Sequence, residues 1–347
     1  MVLVHYIYSH NLFSRYSGYN ACLTPENSTG SLSSSTLSYI IFGLLLVLII
    51  YLIVVLQTRH LIKTRKMLKQ REQTLEQVKK QIAELEIKTK NLTDSLNYAQ
   101  RIQEALLPSE EYFRTHFRDS FIFFRPKDIV SGDFYWIEER GDKVFIVGAD
   151  CTGHGVPGAL MSMIGLEIIE KTINEDKINI PSEILAVLNK ELEKTFRREK
   201  NIGTIIRDGM DIGLCVIDRS TRKAEYAGAF FPLYLIRDNS LIEIKGDKLI
   251  IGMNPTGISY TNHVFDLKDN DILYIFSDGY VDQFGGRENK KFMYRRFRYL
   301  LTTIHRFPLN DQKSILEENI NTWMARNPQI DDIMVIGFKP FSGEESK

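Results

Sequence analysis

Acidic residues stand where apolar, strand-like runs give way to loops: Asp133 in SGDFYW, Asp150 in VGADCTGHG, Asp278 in YIFSDG, and Asp331 beside Asp332 before IMVIGF. A carboxylate at the end of a core strand is costly to bury unless a cation or several hydrogen bonds satisfy it. Several of them in one domain point to a shared ligand, and hard divalent cations, which prefer oxygen donors, are the natural class. Singly, each has a plainer explanation, because Asp favours turns: Asp278-Gly279 reads as a strand-ending turn and Asp331 as a linker residue. Jointly, they favour a metal site.

Other chemistries lack their sequence. Cys22, Cys151 and Cys215 lie far apart and form no CxxC, which argues against a disulfide framework or a zinc knuckle. Cys151 and Cys215 read as small core fillers. Walker A, HExxH and GxSxG patterns are absent from the sequence, as is a CxxxxxR loop. Nothing therefore marks a phosphate-binding loop, a zinc protease or a side-chain nucleophile. Gly153-His154-Gly155-Val156-Pro157-Gly158 fits GxGxxG, but Asp150-Cys151-Thr152 separates it from the strand and the surrounding strands read as hairpins. A dinucleotide site needs its glycines directly off the strand and a parallel neighbour after the helix. The glycines read instead as a tight backbone turn beside an acidic site.

The elements that must position these acids follow from periodicity. From Phe121 onward the chain offers short β-branched and aromatic runs: FIFF, DFYWIEE, KVFIVGA, DIGLCVID, KAEYAG, PLYLIR, LIEIK, HVFDL, DILYIFS and IMVIGF. Tight polar turns at 140–142, 218–222 and 237–240 join several of them, and turns this short connect only antiparallel neighbours. Helical patterns fall at 159–174, 181–199, 289–304 and 312–325. The expected fold class is α+β, with antiparallel sheets covered by helices.

The N-terminal third has a different character. Residues 27–58 carry no charge and 39–56 are almost uninterruptedly apolar. Eighteen such residues reach roughly 27 Å, enough to cross a bilayer core. Arg59, Lys63, Arg65, Lys66, Lys69 and Arg71 crowd the C-terminal flank, so everything beyond is expected in the cytoplasm. This implies a single-pass protein of the inner (cytoplasmic) membrane, with a short external tail at 1–36 and the span at 37–57. Further on, Leu61, Leu68, Leu75, Ile82 and Leu96 share one heptad position, and Val78, Leu85, Leu92, Ala99 and Leu106 the one three further along. Thr64, Arg71, Thr89 and Gln103 interrupt the pattern. Residues 58–107 are expected to form a coiled coil, closed by Pro108, and two anchored copies would pair in parallel as a homodimer. The 347 residues balance 44 basic against 44 acidic side chains, so no global field marks a nucleic-acid binder. The basic, aromatic stretch 294–298 reads as a solvated helix face.

In this order SGDFYW, ADCTGHGVPGALMS, FSDGYVD and DDIMVIG resemble the SpoIIE-type branch of metal-dependent serine/threonine protein phosphatases. YAQRIQEALLP, at 98–108, resembles the linker that leads into such domains in bacterial signalling proteins. The resemblance implies an αββα sandwich over residues 108–340, two antiparallel sheets between helix layers. It also implies two Mn²⁺ or Mg²⁺ ions, with Asp133 and Asp150 as ligands, Asp150 bridging, and Asp278 and Asp331 completing the second ion's shell. The backbone carbonyl of Cys151 would be a further ligand, and Asp332 stands as an alternative to Asp331. Asp211, in GMDIGL, is either a supporting acid, a further ligand or a satisfied buried carboxylate. Two such cations roughly 3.5–4 Å apart activate a shared water as nucleophile and offset transition-state charge.

The reaction implied is hydrolysis of phosphoserine or phosphothreonine on a signalling partner, in relatives often a small anti-sigma-factor antagonist domain. Arg125 and Lys127 are candidates for holding the phosphate, equally readable as solvated edge charges. His154 is a candidate general acid, more simply a loop histidine. Two other classes stay open: a catalytically inactive phosphoprotein-binding scaffold, which would have lost one of the acids, and a hydrolase of small phosphoesters, which would need a deep pocket.

Overall fold

A computed structural model describes residues 34–197, 208–255 and 257–341. The expected external tail, apart from its last residues, and Cys22 within it lie outside the described residues, as do 198 and 199 at the end of the second expected helix. The chain divides into two units, Met1–Glu84 and Leu85–Lys347.

The first unit contains most of α1, a continuous helix over Ser34–Leu106. Among the described residues α1 is the one helix long and apolar enough to cross a membrane, and its most apolar window has a mean hydropathy of 3.2 with none of it buried.

In the second unit, after the short α2 (Glu110–His116), each of the ten apolar runs is a strand: β1 (Ser120–Arg125), β2 (Phe134–Arg140), β3 (Lys143–Cys151), β4 (Met210–Asp218), β5 (Lys223–Ala229), β6 (Leu233–Arg237), β7 (Ser240–Ile244), β8 (His263–Asp266), β9 (Ile272–Phe276) and β12 (Ile333–Phe338). They pair in the orders β1-β12-β9-β6-β7 and β2-β3-β4-β5-β8, every named pair antiparallel. β3 has antiparallel neighbours on both sides, which removes the parallel partner that a dinucleotide fold requires.

Side-chain alternation along the strands builds the layers. On β3, Val144 and Ile146 join Met334, Ile336, Leu273 and Ile275 of the other sheet in a core between the sheets. Phe145, Val147 and Ala149 of the same strand face the opposite way, against Leu166, Ile169 and Ile173 of α3 (Gly155–Asn174) and Ile184, Leu185 and Leu188 of α4 (Pro181–Arg197). On the far side Ile333 and Val335 of β12 pack with Phe297 and Leu301 of α6 (Tyr294–Ile304) and Leu316 and Ile320 of α7 (Leu309–Met324). The result is the αββα sandwich, three cores deep.

Helix boundaries differ from the sequence expectation in instructive ways. α3 starts at Gly155, four residues early, because Pro157 sits in its first turn, where the missing N–H has no helical acceptor to satisfy. α6 starts five residues late: Gly286 and Asn289 take positive φ, and the chain before α6 folds into a small hairpin of β10 (Phe284–Gly285) and β11 (Lys290–Lys291). Within the basic stretch, Arg296 stacks over the Trp323 ring and Arg298 pairs with Glu243, so both arginines serve packing of α6.

Candidate metal centre

Strand parity sends the acids to one place. β3 alternates so that Val144 and Ile146 enter the inter-sheet core, and Asp150 continues that face. Asp211 is its direct cross-strand partner on β4. Cys151 points the other way, its thiol buried in the core beneath α3 and α4. From the second sheet, the chain leaves β9 at Ser277-Asp278 and turns through α5 (Gly279–Asp282), alongside the entry to β12 at Asp331-Asp332. That approach is backbone-tight, since a Cβ on Gly279 would lie 1.8 Å from the Asp332 carbonyl oxygen. Gly279→Ala is expected to cost about 2 kcal/mol or more, because neither partner is a flexible side chain, and thermal denaturation together with Mn²⁺ affinity would register the displaced turn.

The loop that carries Asp133 is wedged just as closely. A Cβ on Gly132 would lie 2.6 Å from the Gly153 carbonyl oxygen, and one on Gly158 only 2.3 Å from the same atom. Gly153 and Gly155 take positive φ of 87° and 66°, which turns the chain sharply after Asp150. The glycines of the GxGxxG pattern thus let two backbone segments touch beside the acids.

Hydrogen bonds distinguish the members. Asp332, 3% exposed, accepts from the Lys127 N–H through Oδ1 and from the Gly132 N–H through Oδ2, both at 2.7 Å. Both of its oxygens therefore hold loop backbone. Among the described residues Asp331 accepts only locally, from the Asp332 N–H at 2.9 Å. Asp133, 1% exposed, accepts from the Ser277 hydroxyl at 2.6 Å through Oδ2, while Oδ1 is buried without a partner. Ser277 links the sheets, since its hydroxyl also accepts from the Met334 N–H at 3.0 Å.

The acids are close enough to govern one another's ionisation. Burial, then Asp332, Asp331 and Asp278, push Asp133 well above the usual carboxylate range against the opposing Ser277 bond. Burial, followed by Asp133, Asp278, Asp331 and Asp211, does the same to Asp150. Asp278 is raised to about 6 by burial, Asp282 and Asp331, although Lys291 and a hydrogen bond with Asp150 oppose the rise. Burial and Asp278 lift Asp211 to about 7. Asp331 is raised by burial first, with Lys127 and His154 pulling the other way.

Carboxyl groups whose pKa values are raised by burial and by neighbouring acids, next to an unpartnered buried carboxylate oxygen, are chemically suited to a multivalent cation with oxygen ligands. Among the described residues no three His, Cys, Asp or Glu side chains already converge on one coordination point. The structure therefore supplies the donor set and the electrostatic demand, without a closed cage.

The remaining candidates sort by position. Lys127 lies near enough to Asp331 to lower its pKa, whereas Arg125 is engaged with Asn321 on α7 at 2.6 Å. His154 Nδ1 pairs with Asp128 Oδ2 at 2.6 Å, with both side chains about half exposed. Sequence reasoning missed Ser277, Asp128 and Gln103. Ser277 alone had a local signal, its place between a strand end and Asp278.

Known proteins resemble the chain in sequence and in fold. Residues 140–340 match the family described as Stage II sporulation protein E (SpoIIE). The phosphoserine phosphatase RsbU of Bacillus subtilis (strain 168) is 27% identical over 220 residues, which cover 61% of this chain and 58% of that protein. The chain thus spans little more than half the length of that curated relative. The SiaA-PP2C domain of Pseudomonas aeruginosa superposes with a TM-score of 0.66 at 33% identity, covering 72% of this chain and 98% of that one. The RsbU and RsbW domains of Rv1364c from Mycobacterium tuberculosis give 0.51 at 17% identity over 63% of this chain and 59% of theirs, a likeness of fold. With more than half its length matched by the family, and 33% identity over 72% of the chain to a PP2C domain covered almost end to end, the chain belongs to the SpoIIE family.

Proposed function

We propose that the protein is a metal-dependent phosphatase that removes phosphate from phosphoserine or phosphothreonine on a signalling protein, acting through two Mn²⁺ or Mg²⁺ ions. The observation that carries this reading is the inter-sheet corner in which burial and neighbouring acids raise Asp133 and Asp150, both facing the charges of Asp278 and Asp331, with Asp133 Oδ1 buried and unpartnered. Asp133, Asp150, Asp278 and Asp331, with the Cys151 carbonyl, would hold the ions. Asp332 stands outside this set because both of its oxygens already hold the 127–132 loop. Asp211 is the cross-strand support of Asp150.

When bound, the cations supply an activated water and neutralise charge on the phosphoryl group. The chain's own residues do the rest. Asp133 and Ser277 tie the two sheets together at the site, and Asp332 fixes the loop that carries Asp133. Lys127, whose charge lowers the pKa of Asp331, is placed to meet the substrate phosphate as a point charge. The relatives named above favour a phosphoprotein over a small phosphoester, and a small anti-sigma-factor antagonist domain is the partner class proposed.

We further propose the architecture in which the enzyme works: an external tail (1–36), a membrane span (37–57), a coiled-coil linker (58–107) and the phosphatase domain (108–340) facing the cytoplasm. A parallel homodimer through the linker is expected, and light scattering of the detergent-solubilised full-length chain checks it by returning twice the 40.2 kDa chain mass after correction for detergent. A monomer would contradict the linker reading. The reaction itself is tested by Mn²⁺-dependent phosphate release from phosphoserine and phosphothreonine peptides, compared with p-nitrophenyl phosphate and nucleotides. Preference for nucleotides would favour the small-phosphoester class.

A further inference from the structure

Among its described residues α1 has one buried side chain, Gln103 at 5% exposure. It occupies a heptad position where the pattern calls for an apolar residue. A buried amide is tolerated only when its donors and acceptor are satisfied. Gln103 meets that condition through residues far away in the chain. Its Nε2 donates to the Ser131 carbonyl at 2.6 Å and to Ser162 Oγ at 3.0 Å, and its Oε1 accepts from the Ser131 N–H at 3.0 Å. Both backbone groups of Ser131 are thus held by one side-chain amide, as a neighbouring strand would hold them. Ser162, in turn, donates back to the Ala159 carbonyl within α3 at 2.8 Å.

The position of Ser131 gives the clamp its consequence. The next residue, Gly132, donates to Asp332 and accepts from the Cys151 N–H, and the one after it is Asp133. Gln103 therefore fixes the near end of a three-residue segment whose far end carries an acid of the candidate metal centre. The same face of the helix docks nearby: Leu96 and Gln100 are partly covered, and Leu107 packs on the core beneath α3. A purely adhesive contact would be served by a leucine. An amide with three directed bonds instead sets the rotation and height of Ser131 relative to α1 and α3.

We infer that Gln103 is a positioning residue for the metal centre: its amide holds residues 131–133 in the geometry that lets Asp133 face the other acids, and so sets divalent-cation affinity. This inference rests on the phosphatase reading above. Outer partners of metal ligands typically contribute 10- to 100-fold in affinity.

The test uses the full-length chain in detergent and the variants Gln103→Leu and Ser162→Ala. Leucine keeps the bulk and removes every bond, while Ser162→Ala leaves the two bonds to Ser131. Mn²⁺ binding, followed by titration calorimetry, should weaken about 10-fold in Gln103→Leu and by a smaller factor in Ser162→Ala. Backbone amide exchange at Ser131 and Gly132 should accelerate in the same order. Unchanged Mn²⁺ affinity with unchanged exchange at these amides in Gln103→Leu would overturn the inference. Should Gln103→Leu fail to fold, Ser162→Ala decides alone, and wild-type affinity with wild-type exchange in that variant would overturn it. Failure of the reading it rests on looks different: without a metal site the wild-type chain itself would take up no Mn²⁺, and with a small-phosphoester substrate Mn²⁺ uptake would persist while phosphopeptides were not hydrolysed. The exchange measurement needs no cation and tests the clamp in either case.

Discussion

Replacing Asp150 by Asn should lower Mn²⁺-dependent phosphoserine hydrolysis by about 10³-fold, roughly 4 kcal/mol of transition-state stabilisation, while raising the thermal stability of the metal-free protein. The two effects share one cause. Asp150 is buried next to Asp133, Asp278, Asp331 and Asp211, and its pKa is driven up by burial and by these neighbours. Its charge is a liability to the fold and an asset to a cation. An amide of the same shape removes the repulsion and with it a carboxylate proposed to hold the cations. Asp278→Asn should follow in the same direction, with a smaller gain in stability, because Lys291 already offsets part of the unfavourable field at Asp278. Phosphate release and thermal denaturation, measured on the same preparations, check both halves. Loss of activity accompanied by loss of stability would indicate a structural role for these acids instead.

The second large effect is a pH dependence that a cation should abolish. Burial and neighbouring acids raise Asp278 to about 6 and Asp211 to about 7 in the folded protein, with Asp133 and Asp150 also raised. The same groups in an unfolded chain titrate near the ordinary Asp value of about 3.9. A raised folded pKa means that the folded state binds protons more tightly than the unfolded state. Its contribution to stability is fully present below about pH 4 and is lost as pH rises through 6 and 7. The metal-free protein should therefore melt lower at pH 8 than at pH 5.5, by roughly 5 °C or more. Saturating Mn²⁺ should flatten the dependence by occupying the deprotonated acids, and the Tm gained from Mn²⁺ should grow with pH. A melting temperature that rises between pH 5.5 and 8 without metal would contradict this account of the acids.

How far the sequence carried the fold depends on the kind of signal. Strand existence was legible because its signal is local: KVFIVGADC is a short β-branched and aromatic run after a tight polar turn, although both of its faces are apolar and only the fold shows which meets α3 and α4 and which the second sheet. Helix ends were less legible. α6 starts where Met293 takes a positive φ after a hairpin, and that hairpin is stabilised against Trp323, some thirty residues later.

The same division holds at the candidate site. The acids announced themselves because they interrupt apolar runs. The glycines of the GxGxxG pattern did not announce their role, which lies in close contact between Gly158, Gly153 and Gly132. The ambiguity between Asp331 and Asp332 could not be resolved by spacing, as either could face the acids. Only the bonds from the Lys127 and Gly132 N–H groups reveal that the Asp332 carboxylate already holds a loop. Gln103 read as a flaw in a heptad because its partners, Ser131 and Ser162, are distant in sequence and become neighbours only after folding.

The acidic corner as a two-cation site is the claim on which the function depends. Counting Mn²⁺ bound per chain by titration calorimetry at pH 8 tests it most directly. Two ions per wild-type chain, and loss of that uptake in Asp150→Asn, is the predicted result. No uptake by the wild-type chain, or uptake that Asp150→Asn leaves intact, would contradict it.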